Sequence, residues 1–385
     1  MSLSKFQLSL VLKTYLLFLG VKLTLILLGI ILVNTGITQV FFTGLQLQDF
    51  EFNALFKLFF NNDSGWYKSI ADYGYNGIPL TESANWTTAN QHYAFFPLLP
   101  YSIRFISYLL HCDFYVSGFI LNLIVLYFFV YYFIGLLKLY LFDDSRLFKL
   151  MLFVAVFPFS MHLFFIYTES LFFTLLLASF YFIYQKKWYA FALASALLVL
   201  TRPNGLFMII PFYFLILEQD GKLNFKSLLN SFLKIKTYIL LIMPFTFFLW
   251  LYYQYINTGN WFAFANAQAG WGKKTMFPFF AFFRSGFWQQ QFLSVYTILM
   301  IIYAITKLKK WKLSVQMLVW INVLLPLTAG SVTSMSRYLS ILFPYYIEWS
   351  DSKFYKKHYS LIIASMIVLS VLGFHWWLQG NSIMY

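Results

Sequence analysis

Two aspartates, Asp63 and Asp72, stand in the polar stretch Asn62–Tyr75 (NDSGWYKSIADYGY), between a long apolar N-terminal run and the segment His92–Pro100 (HYAFFPLLP). A carboxylate in such a place can serve as a general base, taking a proton from a hydroxyl as that hydroxyl attacks a carbon centre. Asp63 is followed by Ser64, Gly65, Trp66 and Tyr67, then by Ile70, Ala71 and Tyr73, which puts apolar residues at helical spacing. A short amphipathic helix is therefore expected to start here. That leaves two readings for Asp63: the cap of the helix, accepting a backbone N–H, or the base. Asp72 lies far along the same helix axis and reads as a solvated face residue.

The surrounding elements belong to a membrane. The chain of 385 residues is 61% hydrophobic and 10% charged, where ordinary soluble domains carry roughly 25% charge. Its mean hydropathy is +0.70. Apolar runs cover Val11–Val33, Val116–Tyr140, Leu147–Tyr167, Ser170–Tyr184, Trp188–Leu200, Gly205–Leu217, Tyr238–Ile256, Phe292–Thr306, Leu313–Ala329, Tyr338–Glu348 and Tyr359–Leu378. The expected fold is thus an all-α polytopic membrane protein with about eleven transmembrane helices. The first run lacks an A-x-A-like cleavage site and reads as an uncleaved anchor.

Lysine and arginine set the orientation. With the N-terminus cytoplasmic, the inner loops hold Lys138, Arg146, Lys149, Lys186, Lys187, the Lys222–Lys236 cluster, Lys307–Lys312 and Lys353–Lys357. The outer loops hold only Lys57, Lys68, Arg104, Arg202, Lys273, Lys274, Arg284 and Arg337. This alternation requires Phe95–His111 to be a helix along the outer interface, entered through Pro97 and Pro100, and not a span. Asp49, Glu51, Asp63, Asp72, Glu82, Asp113 and Glu169 then lie outside, and so do the two long loops, 34–113 and 257–291. Long loops of mixed chemistry are where function concentrates. The net charge of +14 is spread over short loops, so topology explains it and nucleic acid is not an expected partner. The single Cys112 excludes an internal disulfide, and His111, His162 and His375 show no ligand spacing, so no metal site is expected. Asp63 and Glu169 are the pair that would share a divalent ion if one were required.

Five blocks occur in order along residues 60 to 345: Asp63-Ser-Gly-Trp-Tyr with Ile70-Ala71 and Gly74-Tyr75; Tyr93-Ala-Phe-Phe-Pro-Leu-Leu-Pro100; Tyr167-Thr-Glu-Ser-Leu-Phe172; Thr201-Arg-Pro-Asn-Gly-Leu206; and Ser336-Arg-Tyr338 with Phe343-Pro344. Together they resemble the W-D-x-x-W/Y loop and following motifs of the PIG-V-type (GPI mannosyltransferase 2-like) membrane mannosyltransferases. One departure is Asn62, where that family usually has Trp. The resemblance implies a GT-C-like bundle, treated as a single domain over residues 1–385. It also implies inverting transfer of a sugar, mannose in that family, from a polyprenyl-phosphate carrier to a hydroxyl on the non-cytoplasmic side, with Asp63 matching the catalytic aspartate. Trp66, Tyr67 and Tyr338 fall in the matching blocks as substrate-binding positions.

The remaining candidates each have a plainer alternative. Glu169 opens a span, where a carboxylate favours the helix N-terminus, or it positions donor or acceptor. Arg202 and Arg337 can hold a lipid phosphate through the guanidinium fork, or snorkel to headgroups. His92 can hydrogen-bond a sugar or phosphate, or be an ordinary interfacial histidine. Lys273, Lys274 and Arg284 stand in the second long outer loop with Trp261, Trp271 and Trp288 and can bind phosphate or lipid headgroups, headgroups being the plainer reading. Asn85-Trp86-Thr87 is a sequon, meaningful in a eukaryotic secretory pathway. Expected partners are the lipid-linked donor, membrane lipids, and a glycolipid, glycan or protein acceptor. No cofactor is expected. The very short termini and the absence of a K-D-E-L-type tail point to a bacterial plasma membrane rather than the endoplasmic reticulum. The competing function is a transporter or lipid flippase, which would want ionisable groups within spans. Lys22 is the main such residue.

Overall fold

The computed structural model describes residues 5–34, 52–77, 90–140, 142–221, 235–284 and 286–384. The sequon Asn85–Thr87, the acidic residues Asp49, Glu51 and Glu82, and Lys222, Lys226 and Lys234 lie outside the described residues. The described residues fold into helices with no strand among them. Among the described residues, four helices are long and apolar enough to cross a membrane: 8–31 within α1 (Lys5–Asn34), Phe114–Leu139, Lys236–Thr258 and Tyr359–Leu378.

α1 shows why lipid is the matching solvent. Val11, Thr14, Phe18, Lys22 and Leu25 are buried at spacings of three and four, whereas Leu8, Leu12, Leu16, Leu23, Leu27 and Ile31 are exposed. An apolar stripe left outward on a helix that is apolar all round marks a membrane-facing surface.

Helices α2 (Phe52–Lys57) and α3 (Ser64–Tyr73) lie in the first long loop, followed by α4 (Leu98–Leu110). The 13 residues of α4 reach roughly 20 Å, short of the ~30 Å hydrocarbon layer. α4 buries Leu99, Pro100 and Ile103 and exposes Phe105, Tyr108 and Leu109. It packs on α3 and on α5 (Phe114–Leu139), as expected of a helix lying along an interface.

Other apolar runs are shorter than the sequence predicts. The expected span Leu147–Tyr167 is not one helix. α6 (Asp144–Val156) stops, residues 158–163 form a 3-10 turn, and α7 begins at Glu169 and ends at Tyr184. The cause is Pro158, which has no N–H to donate and clashes with the preceding turn; Phe157 before it is extended, at φ −68° and ψ 129°. The run Gly205–Leu217 divides at Met208, and Tyr338–Glu348 divides at Ile341–Leu342 ahead of Pro344.

A buried non-helical stretch needs outside partners for its backbone. Asn122 on α5 donates its amide to the carbonyls of Phe164 (3.0 Å) and Phe165 (2.8 Å). Ile166 N–H donates to Phe59 O at 3.0 Å, and Ser64 Oγ donates to Ile166 O at 3.0 Å. The last helix, α8 (Tyr359–Leu378), joins in: Trp377 stacks on Phe165 at 3.7 Å and donates Nε1–H to Leu58 O at 2.9 Å, and its carbonyl accepts from Asn61 at 2.8 Å. These bonds fasten the start of α3 beside the start of α7.

Every ion pair among the described residues joins residues that the lysine alternation assigns to the same face. Arg146 and Lys356 meet Asp351, Lys138 meets Asp144, Lys236 meets Asp220 and Lys310 meets Glu348 on one side. Lys68 meets Asp72, and Asp63, Glu169, Arg202 and Arg337 meet one another, on the other.

Candidate active site

Asp63 precedes α3 but does not cap it: its side chain makes no capping hydrogen bond and its backbone is already helical. Its Oδ2 accepts instead from Arg337 Nη1 at 2.7 Å. The turn into α3 depends on Asn62, whose φ of +47° lies in the left-handed region that Asn tolerates and bulky residues avoid. A tryptophan there would be strained, which gives a physical reason for Asn62 in this chain. Asp72 pairs with Lys68 one turn back on the exposed face of α3, which agrees with its solvated reading.

Glu169, fully buried, is the first residue of α7. Its Oε1 accepts from Arg337 Nε and from Arg202 Nη2, each at 2.6 Å. Its Oε2 is buried with no hydrogen-bond partner among the described residues, leaving an acceptor that a water or a bound hydroxyl would satisfy. Arg202 and Arg337 are themselves buried, so neither snorkels. Arg202 also donates to Thr168 Oγ1 and lies over the rings of Phe172 and Tyr338, 5.2 Å from each centroid. Arg337 lies 4.3 Å from the centroid of Tyr167, and buried His162 stacks on the same Tyr167 ring at 6.1 Å and 22°. Planar guanidinium on an aromatic face adds cation–π attraction to the charge pairing.

The arrangement is a chain of alternating charge: Asp63, Arg337, Glu169, Arg202. Two carboxylates balance two guanidinium groups, so the buried set is neutral, as burial of charge demands. Only Asp63, with 34% of its side chain exposed, opens to solvent; its Oδ1 has no partner among the described residues. Among the described residues no group of three or more His, Cys, Asp and Glu side chains converges, and the Arg337 guanidinium stands between Asp63 and Glu169.

The other candidates surround this chain unevenly. Trp66 stacks on Phe95 (5.7 Å, 16°) and meets the edge of Trp271 (5.7 Å), so the second long outer loop covers the first. Tyr67 is buried against Phe95 at 5.2 Å; burial, reinforced by the Asp63 carboxylate, holds its phenol well above the ordinary range. Tyr338 contributes the ring beneath Arg202. His92 does not join the chain. It packs with Tyr75 and Tyr93, and burial pulls its imidazole down to about 4 despite an opposing hydrogen bond with the Tyr75 backbone. It supports the loop.

Lys273, read on sequence as a phosphate or headgroup contact, is brought by the structure into the field of Asp63 and Arg337. Burial pulls its ammonium below the ordinary lysine range; Asp63 opposes that and Arg337 adds to it. The sequence signal was the Trp271-Gly-Lys-Lys274 run, where aromatic and basic residues adjoin. Tyr167 and Thr168 were visible only as members of a block.

No model of a known protein family matches the chain, and no curated protein matches it.

Proposed function

We propose that this chain is a membrane-embedded glycosyltransferase of the inverting type. It transfers a sugar, mannose by the resemblance of its sequence blocks, from a polyprenyl-phosphate carrier to a hydroxyl of a glycolipid, glycan or protein. One observation carries the reading. Four blocks scattered between positions 63 and 337 converge on a neutral buried chain of two carboxylates and two arginines, in which only the Asp63 carboxylate opens to solvent. Paired ionisable groups gathered in a partly closed place recur at functional sites.

In this reading Arg337 occupies Asp63 Oδ2 and fixes its plane, leaving Oδ1 to take the acceptor proton. The hydroxyl oxygen bonds to the anomeric carbon, the bond from that carbon to the carrier phosphate breaks with inversion, and the proton goes to Asp63. The phosphate leaves as an anion and needs cations outside the neutral chain. Trp66 and Trp271 offer flat apolar faces for a sugar ring. The GT-C-like topology belongs to the same proposal: eleven crossing segments, some bent or broken, with this site on the extracytoplasmic face of a bacterial plasma membrane.

The test is transfer by purified protein from labelled polyprenyl-phosphate-mannose to a panel of acceptors, comparing wild type with Asp63→Asn. Loss of transfer with retained folding is expected; full transfer by the variant removes Asp63 as base. A second reading, a transporter or flippase, is favoured by Lys22, fully buried within a candidate span with its amine donating to Ser160 Oγ at 2.7 Å. Movement of an intact sugar-lipid across vesicles without sugar release would select it.

A further inference from the structure

The neutral chain uses up Arg202 and Arg337, and Lys68 pairs with Asp72, so among the described residues the unpaired cations on this face are Lys57 and Arg104 in the first outer loop and a group of three in the second. Lys273, Lys274 and Arg284 form no ion pair among the described residues. Arg284 ends the 3-10 segment Pro278–Arg284 and lines a cavity of about 240 Å³, together with Gly272, Gln290, Gly330 and Ser331. Gly272 precedes Lys273, and the 330–332 wall leads into the helix that carries Arg337. The cavity therefore opens between the segment that carries Lys273 and Arg284 and the one that leads to the paired Arg337.

Its chemistry favours an anion. Gln290 Oε1 already accepts from Gly286 N–H at 3.1 Å, which leaves its amide NH₂ to donate. Ser331 offers a hydroxyl, held by Thr333 at 2.7 Å. Arg284 offers a guanidinium, and no carboxylate lines the space. The volume is below the roughly 300 Å³ of the smallest small-molecule pockets, which suits a headgroup and not a whole glycolipid. The wall is built tightly. Met276 N–H donates to Thr328 O at 2.9 Å, and a Cβ on Gly330 would come within 2.9 Å of Met276 Sδ. The same stretch turns Phe277, Phe280, Phe283 and Phe287 outward, all well exposed. Such an apolar fringe beside a polar cavity fits a ligand with a charged head and a hydrocarbon chain.

We propose that this cavity receives the phosphate of a membrane lipid, with Arg284, Gln290 and Ser331 as donors and the lipid chain lying along the exposed phenylalanines. Identifying that lipid as the sugar carrier rests on the proposed function; the phosphate chemistry does not. The test measures retention of a polyprenyl monophosphate lacking sugar, by native mass spectrometry and by titration of the protein in nanodiscs. Wild type, Arg284→Ala, Gln290→Ala and Asp63→Asn are compared, with inorganic phosphate and phosphatidylglycerol as competitors. Wild type and Asp63→Asn are expected to bind alike, and Arg284→Ala to lose about ten- to a hundredfold, the factor a charge-assisted hydrogen bond supplies. Arg284 is exposed, so its variant keeps the fold, checked by gel filtration. Equal retention by wild type and Arg284→Ala overturns the proposal, and so does displacement by inorganic phosphate as effective as by lipid. Preference for polyprenyl phosphate over phosphatidylglycerol identifies the carrier. Equal competition by phosphatidylglycerol keeps a lipid-phosphate site and removes only its link to sugar transfer.

Discussion

Glu169→Gln is the sharpest perturbation of the charge chain. One oxygen of this fully buried carboxylate holds two guanidinium groups at 2.6 Å each. The variant keeps the shape but turns a neutral set of two negative and two positive charges into a buried net charge of +1. Breaking a buried pair by removing one partner costs about 3–5 kcal/mol, because the remaining charge stays desolvated and uncompensated. Here a single substitution strips two arginines at once, so the upper part of that range is expected. Adding Arg202→Met restores neutrality, since Arg337 and Asp63 still pair at 2.7 Å, and methionine suits the faces of Phe172 and Tyr338 that Arg202 now covers. The double variant should recover ~1–3 kcal/mol relative to the sum of the single effects, the usual coupling for residues in one network. The assay is chemical unfolding in mixed micelles, read as a double-mutant cycle. A cost below ~1 kcal/mol for Glu169→Gln, typical of exposed pairs, or strict additivity in the cycle, would refute the argument that neutrality holds this site together.

Two further outcomes follow from burial elsewhere. The imidazole of His92 is pulled down to about 4 by burial, against 6.5 in the unfolded chain. Between those values the unfolded chain binds a proton that the folded loop does not, so stability falls as pH drops from about 6.5 towards 4, by at most ~3 kcal/mol. Unfolding midpoints measured across that window should slope in wild type and flatten in His92→Gln. Lys22→Met removes a buried amine whose partners are a hydroxyl and the Met161 sulfur; stability should rise by ~1–2 kcal/mol, and a fall on the same unfolding assay would show that the lysine is needed for folding.

The membrane character was legible because it depends on counts: apolar runs long enough to place. The site was legible as blocks, since Asp63, Glu169, Arg202 and Arg337 were all picked out by type and position. What could not be read was their connection. Leu147–Tyr167 is apolar but for Lys149, Ser160 and His162, and apolar runs do not by themselves distinguish a helix from a buried irregular stretch. Pro158 was the available sign of the break. The break matters because its carbonyls draw in Asn122 and Ser64, and its Ile166 N–H reaches Phe59. Those bonds bring Asp63 to Glu169, and long-range hydrogen bonds of this kind leave no periodic trace. Asn62 shows the same limit: a departure from a resemblance pattern was visible, but its left-handed backbone was not.

The arginines, read on sequence as phosphate holders, acquire a different division of labour. Arg337 reaches two different carboxylates with two different nitrogens, Nε at 2.6 Å and Nη1 at 2.7 Å. Lysine has a single compact nitrogen and cannot reproduce that fork, so Arg337→Lys keeps the charge and loses the plane of Asp63. If Arg337 positions the base, sugar transfer should fall about a hundredfold in kcat, the penalty for misplacing a reacting group by ~1 Å, while retention of polyprenyl phosphate stays at the wild-type level. If Arg337 grips the carrier phosphate directly, retention must fall together with Arg284→Ala. Measured side by side on the same nanodisc preparation, the two variants separate orientation of the base from capture of the donor, and a shared loss of retention would return Arg337 to the phosphate.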